Sequence, residues 1–529
     1  MINRIDKKIV IALAAAVPNN HQQFSYRIKK LAAAAKQPPP VKTKLLAAYK
    51  SLVAAGELTA NLELEKMLIT RAVRTLSGVS VITVLTKPFA CPGRCVYCPT
   101  EAGMPKSYLS NEPAAQRALS LQFDPVVMVQ RRVDALQANG HIVDKIELIV
   151  LGGTWSVYPK VYQDWFITRC FYAANTYGQK RRRTVGSLAQ EQHQNEQARY
   201  RVIGLTLETR PDRITTVEVK QLRRLGCTRV QLGIQHTNDS ILKLVRRGDT
   251  LASAITATRL LKEAGFKVDH HYMPDLPGST PACDLAMFQY VFTSPDLQPD
   301  QIKIYPCIVN PLAELHQWWR KGKYKPYAEK KLFELLLKVK QLVPPYVRIN
   351  RLVRDIPPES IAAGNSVTNL RQYLRDELGR QGKKCQCLNC REVRDQQGQE
   401  TPQLTEQQYR ASAGDECFLS FEDSTNRVHA FLRLRFNDHP EKSLFPELKG
   451  AALVREVHVY GQMIPVDAVG SGKQHRGLGS KLLARAEELA RQRGLKKIAV
   501  ISGIGARGYY RQLRYRLAGT YMVKGLVVE

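Results

Sequence analysis

Three cysteines within eight residues, Cys91-Pro-Gly-Arg-Cys95-Val-Tyr-Cys98, constrain this chain more than any other feature. The spacing Cys-x3-Cys-x2-Cys puts three thiolates on one tight loop. There they can hold three irons of a 4Fe-4S cluster and leave the fourth iron open to a small-molecule ligand. Zinc also accepts three cysteines, but a structural zinc site wants a fourth protein ligand close by, and none follows in the sequence. A cluster loop of this kind needs a scaffold with ligand-binding strand ends around it.

The flanking sequence supplies one. Short β-rich runs at 79–85, 145–151, 202–207, 229–234, 267–272 and 301–305 alternate with amphipathic helical stretches, the pattern of a parallel sheet and, around a cluster, of a partial α/β barrel. With Tyr97 directly before the third cysteine, the loop resembles that of the radical S-adenosylmethionine (SAM) superfamily. That resemblance implies that the open iron takes the amino and carboxylate groups of SAM. Gly152-Gly153-Thr154, Glu208-Thr-Arg210 and Gln231-Leu-Gly-Ile-Gln235 stand at strand ends facing the expected mouth, and are read as SAM-binding, although each alone also suits a turn or a surface salt bridge. Residues 180–201, rich in Arg, Gln and Glu, read as a mobile excursion from this domain.

Charge points to the partner. A net charge of +32 on 529 residues is too large for a typical metabolic enzyme and indicates a polyanion, nucleic acid before membrane. Residues 1–80 alone carry 13 Lys or Arg against 4 acidic residues, a net of +9, on alanine-rich helical segments. No apolar run approaches the ~20 residues needed to span a bilayer. Lys7-Lys8 before an apolar stretch imitates a secretory signal, but Asp6 interrupts the basic run and no clear cleavage site follows. With thiolate-held metal in view, a reducing, cytoplasmic setting is expected.

A second chemistry lies near the C-terminus. Gln474-His-Arg-Gly477-Leu-Gly479-Ser480 precedes a helix starting near Leu478, and glycines there let backbone N–H groups and the helix dipole cradle a pyrophosphate. The string, the strand after the helix and the pair Tyr509-Tyr510 resemble the acetyl-CoA-binding GNAT acetyltransferases, in which a tyrosine near the thioester commonly serves in acid chemistry. Between the two chemistries stands Cys385-Gln-Cys387-Leu-Asn-Cys390, three thiolates suited to zinc in a linker too small to own a core.

A radical SAM domain followed by a GNAT domain is a rare combination. His141-Ile-Val-Asp-Lys145 running to Gly153, Leu205-Thr-Leu-Glu208, Lys303-Ile-Tyr-Pro306, Arg455-Glu-Val-His-Val-Tyr-Gly461 and Val500-Ile-Ser-Gly-Ile-Gly505 make the chain similar to the catalytic subunit of Elongator and its stand-alone bacterial and archaeal relatives. The resemblance implies tRNA wobble uridine C5 carboxymethylation, with acetyl-CoA as carbon donor and a 5′-deoxyadenosyl radical from SAM. It implies acetyl-CoA contacts at Lys145, Glu456, Val457, His458, Val459, Leu478, Gly479, Ser480 and Tyr510, so that the co-substrate bridges both halves. An electron donor is also implied, with a second copy or Elongator-like subunits as further partners.

The expected α/β organisation is a basic helical tRNA-binding module at 1–78, a radical SAM half-barrel at 79–345, a zinc-bearing linker at 346–404 and a GNAT domain at 405–529. Two other functions fit parts of the sequence. A lysine acetyltransferase leaves the cluster loop unexplained, and its cationic protein tails suit an acidic surface better than this one. A tRNA-binding scaffold with decayed cofactor sites sits badly with an intact cysteine trio.

Overall fold

The computed structural model describes residues 3–70, 78–181, 183–393, 401–460 and 477–526. Its centre is a seven-stranded, wholly parallel sheet whose strands lie almost in chain order: Ser80–Leu85, Lys145–Leu151, Arg201–Thr209, Arg229–Gln235, Lys267–Tyr272, Gln301–Ile304 and Arg348–Arg351. Right-handed helical crossovers return the chain after each strand, so all strand C-termini open on one side, where the cluster loop follows the first strand. The sheet curls into a half-barrel of radical SAM type. The seventh strand lies past residue 345, in the stretch read as linker; Pro344-Pro345 turn the chain into the sheet rather than away from it.

Residues 180–201 also depart from expectation. They hold the helix Leu188–Asn195, opened by a capping box between Ser187 and Gln190. Glu191 is fully buried and receives both Arg183 guanidinium nitrogens at 2.6 Å. Polar composition suggested a mobile segment, but a buried, hydrogen-bonded carboxylate fixes this one in place.

Four helices, Arg4–Ala15, His21–Ala34, Lys42–Ala54 and Leu62–Leu68, precede the half-barrel and close on their own core around Val10, Leu13, Phe24, Leu45 and Leu52. Lys8, Lys29, Lys30, Lys44 and Lys50 stay exposed on this module. No helix among the described residues is long and apolar enough to cross a membrane.

The C-terminal half forms a second seven-stranded sheet with the helix Leu478–Gln492 packed on it. Strand Ala451–Val459 pairs in parallel with Lys497–Val500 only through residues 451–454. Beyond that the two strands part, leaving a cleft between them. This sheet caps the N-terminal end of the half-barrel. Glycines make the close fit possible: a Cβ on Gly503 would stand 1.9 Å from the Ile203 carbonyl oxygen, and one on Gly505 would stand 2.5 Å from the Arg201 Cβ. The seam mixes apolar contacts, Ile501 against Gly265 and Ile504 against Gly226, with buried ion pairs. Arg455 sits at a bulge of its strand and grips Asp300 of the half-barrel through both terminal nitrogens, with Glu416 at 3.0 Å on its other side.

Candidate active site

The cluster loop is held from below by two arginines. Arg247, buried, donates to Cys95 Sγ at 3.7 Å, and Arg210 passes beneath Gly93, where a Cβ would come within 2.5 Å of its Nη1. That Nη1 has no partner among the described residues. Hydrogen bonding from Cys98, with the Arg247 charge, holds the Cys95 thiol down at about 4 against the upward push of burial. Cys91 Sγ lies 3.6 Å from Thr154 Oγ1. An anionic cluster fits this donor set, since three thiolates meet one buried guanidinium and one orphaned N–H.

Gly152 and Gly153 both adopt positive φ, 134° and 94°. At Gly152 the need is steric as well, because a Cβ would lie 1.8 Å from Thr86 Oγ1. Tyr158 ties this turn to the first strand by hydrogen bonds to the Gly152 and Lys87 carbonyls.

From the loop a cavity of about 790 Å³ runs down through the half-barrel to the GNAT sheet. Cys98, Gly153, Glu208, Gln231 and Gln235 line its upper part, and Glu456, Val457 and His458 its floor. Residues assigned to two different cofactors thus face one space. Glu208 accepts from Tyr108 at 3.0 Å, and Gln231 from Lys303 at 2.8 Å. Burial brings the Lys303 ammonium down to about 8 even though Asp269 and Glu208 favour its charge. His271, facing the same space, is neutral because of burial and the nearby Lys303 charge, and its Nε2 has no hydrogen-bond partner among the described residues. On the floor, Glu456 binds Lys267 at 3.1 Å and Arg433 at 3.0 Å. Burial opposes the charge on Glu456, but these cations outweigh it and set its pKa at about 2. Burial, then the Arg348 charge, lowers His458 to about 4 and leaves a neutral imidazole whose Nε2 has no hydrogen-bond partner among the described residues.

A second group gathers at the cleft of the GNAT sheet. Gly477, in the left-handed region at φ 89°, stands at the N-cap of the helix Leu478–Gln492, where it has no side chain to bond the first N–H groups, and its carbonyl accepts from Ser480 Oγ at 2.9 Å. A Cβ on Gly479 would stand 2.9 Å from Tyr509 Oη and 3.5 Å from Val459 Cγ2, so these three residues converge. Tyr510 is buried beside Tyr509 with ring centroids 5.3 Å apart, and burial, with Tyr509 and Glu456 nearby, keeps its phenol protonated. Gln474 lies outside the described residues.

Other expected positions fall elsewhere. Arg210 braces the loop, and Lys145 opens its strand at the GNAT end, in register with Arg201, without lining the cavity. Sequence reasoning missed Arg247, His271 and Lys303. Lys303 stands in the Lys303-Ile-Tyr-Pro306 segment that carries the family resemblance, with no role assigned to it, and the run Arg246-Arg247-Gly-Asp249, between two helices, reads equally as a surface turn.

In the linker, the Sγ atoms of Cys385, Cys387 and Cys390 lie within 4.8 Å of one another. The buried Lys340 ammonium, near enough to stabilise their thiolate forms, has no hydrogen-bond partner among the described residues.

Comparison with known proteins places these features. The radical SAM superfamily model matches residues 87–289, the radical SAM C-terminal domain 299–380, and the acetyltransferase (GNAT) family 386–515. The tRNA uridine(34) acetyltransferase of Dehalococcoides mccartyi is 44% identical over 463 residues, covering 86% of this chain and 99% of that protein. Human Elongator complex protein 3 is 36% identical over 478 residues, covering 86% of each. The solved structure of archaeal Methanocaldococcus infernus Elp3 lacking residues 1–46 superposes with a TM-score of 0.73 at 38% identity, over 85% of this chain and 99% of that one. By sequence and by fold, the chain belongs to the family of the tRNA uridine(34) acetyltransferases and Elongator complex protein 3, which joins a radical SAM domain to a GNAT acetyltransferase domain.

Proposed function

We propose that the chain carboxymethylates C5 of the wobble uridine of tRNA in the cytoplasm, drawing the carbon from acetyl-CoA. The observation that carries this reading is the single cavity linking the cluster loop to the GNAT floor, because it lets one acetyl group meet chemistry assigned to two domains. When bound, the cluster and SAM would supply a 5′-deoxyadenosyl radical to take hydrogen from the acetyl methyl group; the carbon would then replace the C5 hydrogen of uridine, which would leave as a proton while one electron returned to the cluster, and thioester hydrolysis would release CoA and leave the carboxymethyl group.

Cys91, Cys95 and Cys98 hold the cluster, and Gly152, Gly153, Thr154, Glu208, Gln231 and Gln235 hold SAM, with Arg210 acting through the loop. The open N–H groups after Gly477 take the pyrophosphate of acetyl-CoA. Val457 and Val459 offer the parted strand edge to its pantetheine arm, and Tyr510, kept protonated, donates to the thioester end. Lys145 stands beside Arg201, against which Gly505 packs, and so faces the domain seam where acetyl-CoA crosses. The exposed lysines of the first four helices grip the RNA backbone. A loop nucleotide can be splayed from its stack to reach the cavity, where a paired base cannot. Cys385, Cys387 and Cys390 hold zinc, their charge offset by Lys340.

The test uses purified holoenzyme, SAM, reductant, tRNA and acetyl-CoA labelled on its methyl carbon. Label is expected at uridine C5, and Tyr510→Phe is expected to lower its incorporation by roughly 10²–10⁴-fold without changing iron content. Label on the lysines of basic protein tails and never on uridine would overturn the reading in favour of a protein acetyltransferase.

A further inference from the structure

The two sides of the cluster loop differ. Cys98 lines the cavity, whereas Cys91, partly exposed, does not, and it follows a stretch, residues 87–90, in which every residue is exposed. Phe89, 40% exposed, starts a ladder of stacked rings across the outer wall. It stacks on Tyr158 at 4.9 Å, Tyr158 on Tyr162 at 5.2 Å, and Tyr162 on Trp165 at 5.6 Å. Trp165 is 41% exposed and its neighbour Val161 83% exposed on the helix Lys160–Thr176.

Cations line this apolar face. The Lys87 ammonium lies 5.0 Å from the Tyr162 ring centre, and the Arg169 guanidinium 4.9 Å from that of Trp165. Asp164 is tied to Arg224, and Glu218 is buried against Lys160 at 2.5 Å. The face therefore presents exposed apolar surface within a positive field.

We propose that this face docks the reductant of the cluster, a small acidic protein that carries one electron on a flavin or an iron–sulfur centre. The inference rests on the reading of the cysteine trio as a cluster site. One electron leaves the donor, which is oxidised, and enters the cluster; from there it cleaves the C5′–S bond of SAM, giving methionine and the 5′-deoxyadenosyl radical. The cavity side of the loop is taken by SAM and substrates, so the donor needs another approach, and the outer side at Phe89 and Cys91 is the short one. A protein suits the face better than a nucleobase. Tyr158 and Tyr162 spend both faces on neighbouring rings, and Trp165 has Tyr162 three residues before it and Arg169 four residues after it on its helix, leaving an edge for side-chain contact rather than a platform for stacking.

The experiment mixes anaerobically reconstituted full-length protein and SAM with reduced flavodoxin in a stopped-flow instrument and follows flavin oxidation, with neither tRNA nor acetyl-CoA present. Its outcome therefore does not depend on the carboxymethylation reading. Lys87→Glu with Arg169→Glu is expected to slow transfer at least about tenfold at low salt. Reduction by dithionite, read as the cluster's paramagnetic signal, should stay unchanged, as should tRNA affinity. Lys29→Glu with Lys30→Glu, the same charge change on the N-terminal helices, should leave transfer intact. Arg169→Glu and Trp165→Ser alone, outside the loop, decide the matter if a loop substitution releases iron. Unchanged transfer in the face variants, an equal loss in the N-terminal control, or a loss of tRNA affinity in place of electron transfer would each overturn the proposal.

Discussion

Cys91→Ser, Cys95→Ser and Cys98→Ser proteins, reconstituted with iron and sulfide under anaerobic conditions, are expected to lose the brown absorbance of the cluster and to cleave SAM only at background rates. Circular dichroism and acetyl-CoA affinity should remain those of the parent. The cause is local. Serine at neutral pH is an alcohol and cannot replace a thiolate, and the loop carries no fourth cysteine: Cys170 and Cys227 are buried elsewhere, and Cys307, in the same apolar cluster as Cys95, is fully buried, all three with thiols that burial pushes up. Each substitution also leaves the Arg247 and Arg210 guanidiniums beneath the loop with less negative charge to face, so a partial cluster is not stabilised by its surroundings. Iron is measured by chelation assay and SAM cleavage by release of 5′-deoxyadenosine. Full iron in the triple variant would show that the cluster is held elsewhere.

The trio was legible because its three ligands are neighbours in sequence. The sheet was legible for a related reason: runs such as Ile146 to Leu151 are β-branched and apolar, and strand placement followed from them within two residues at either end. The seventh strand was not, because Arg-Ile-Asn-Arg carries no run of apolar residues, and only pairing with Gln301–Ile304 makes it a strand. Likewise the helix Leu188–Asn195 has only Leu188 packed on the core, and its place is fixed by a cap and a buried ion pair rather than by an apolar periodicity. In the site, Arg247, His271 and Lys303 are single polar residues, the last two on strands and Arg247 between two helices. Local sequence cannot tell such residues from surface ones; they meet only because parallel strands bring distant positions to one level, as in the register of His271 with Lys303.

The same dependence on distant partners makes the domain seam vulnerable, and Arg455→Ala is expected to destabilise the protein by about 3–5 kcal/mol, because it leaves Asp300 and Glu416 buried and short of positive charge. Asp300 shows how much the seam relies on its cations. Burial pushes its carboxyl up, but Arg455, Lys262 and Arg433 outweigh that and hold it well below the usual carboxylate range. Glu456, whose pKa is set at about 2, behaves the same way. Both folded values lie below the unfolded ones near 4. Their contribution is therefore complete above the unfolded values and is lost as pH falls from there through the folded ones, so acid should loosen the seam between about pH 5 and pH 2. Urea titrations across that range should show parent stability falling toward that of Arg455→Ala, with the gap between them closing. An Arg455→Met, Asp300→Asn variant separates charge from packing: Glu416 keeps Arg435 and Lys262, and Arg433 keeps Glu456, so it should recover part of the lost stability at pH 7 and show a flatter pH dependence. Loss of less than about 1 kcal/mol in Arg455→Ala would mean that water reaches the seam. Because Arg455 immediately precedes Glu456, the floor of the cavity should shift with it, and uridine modification should fall further than SAM cleavage does.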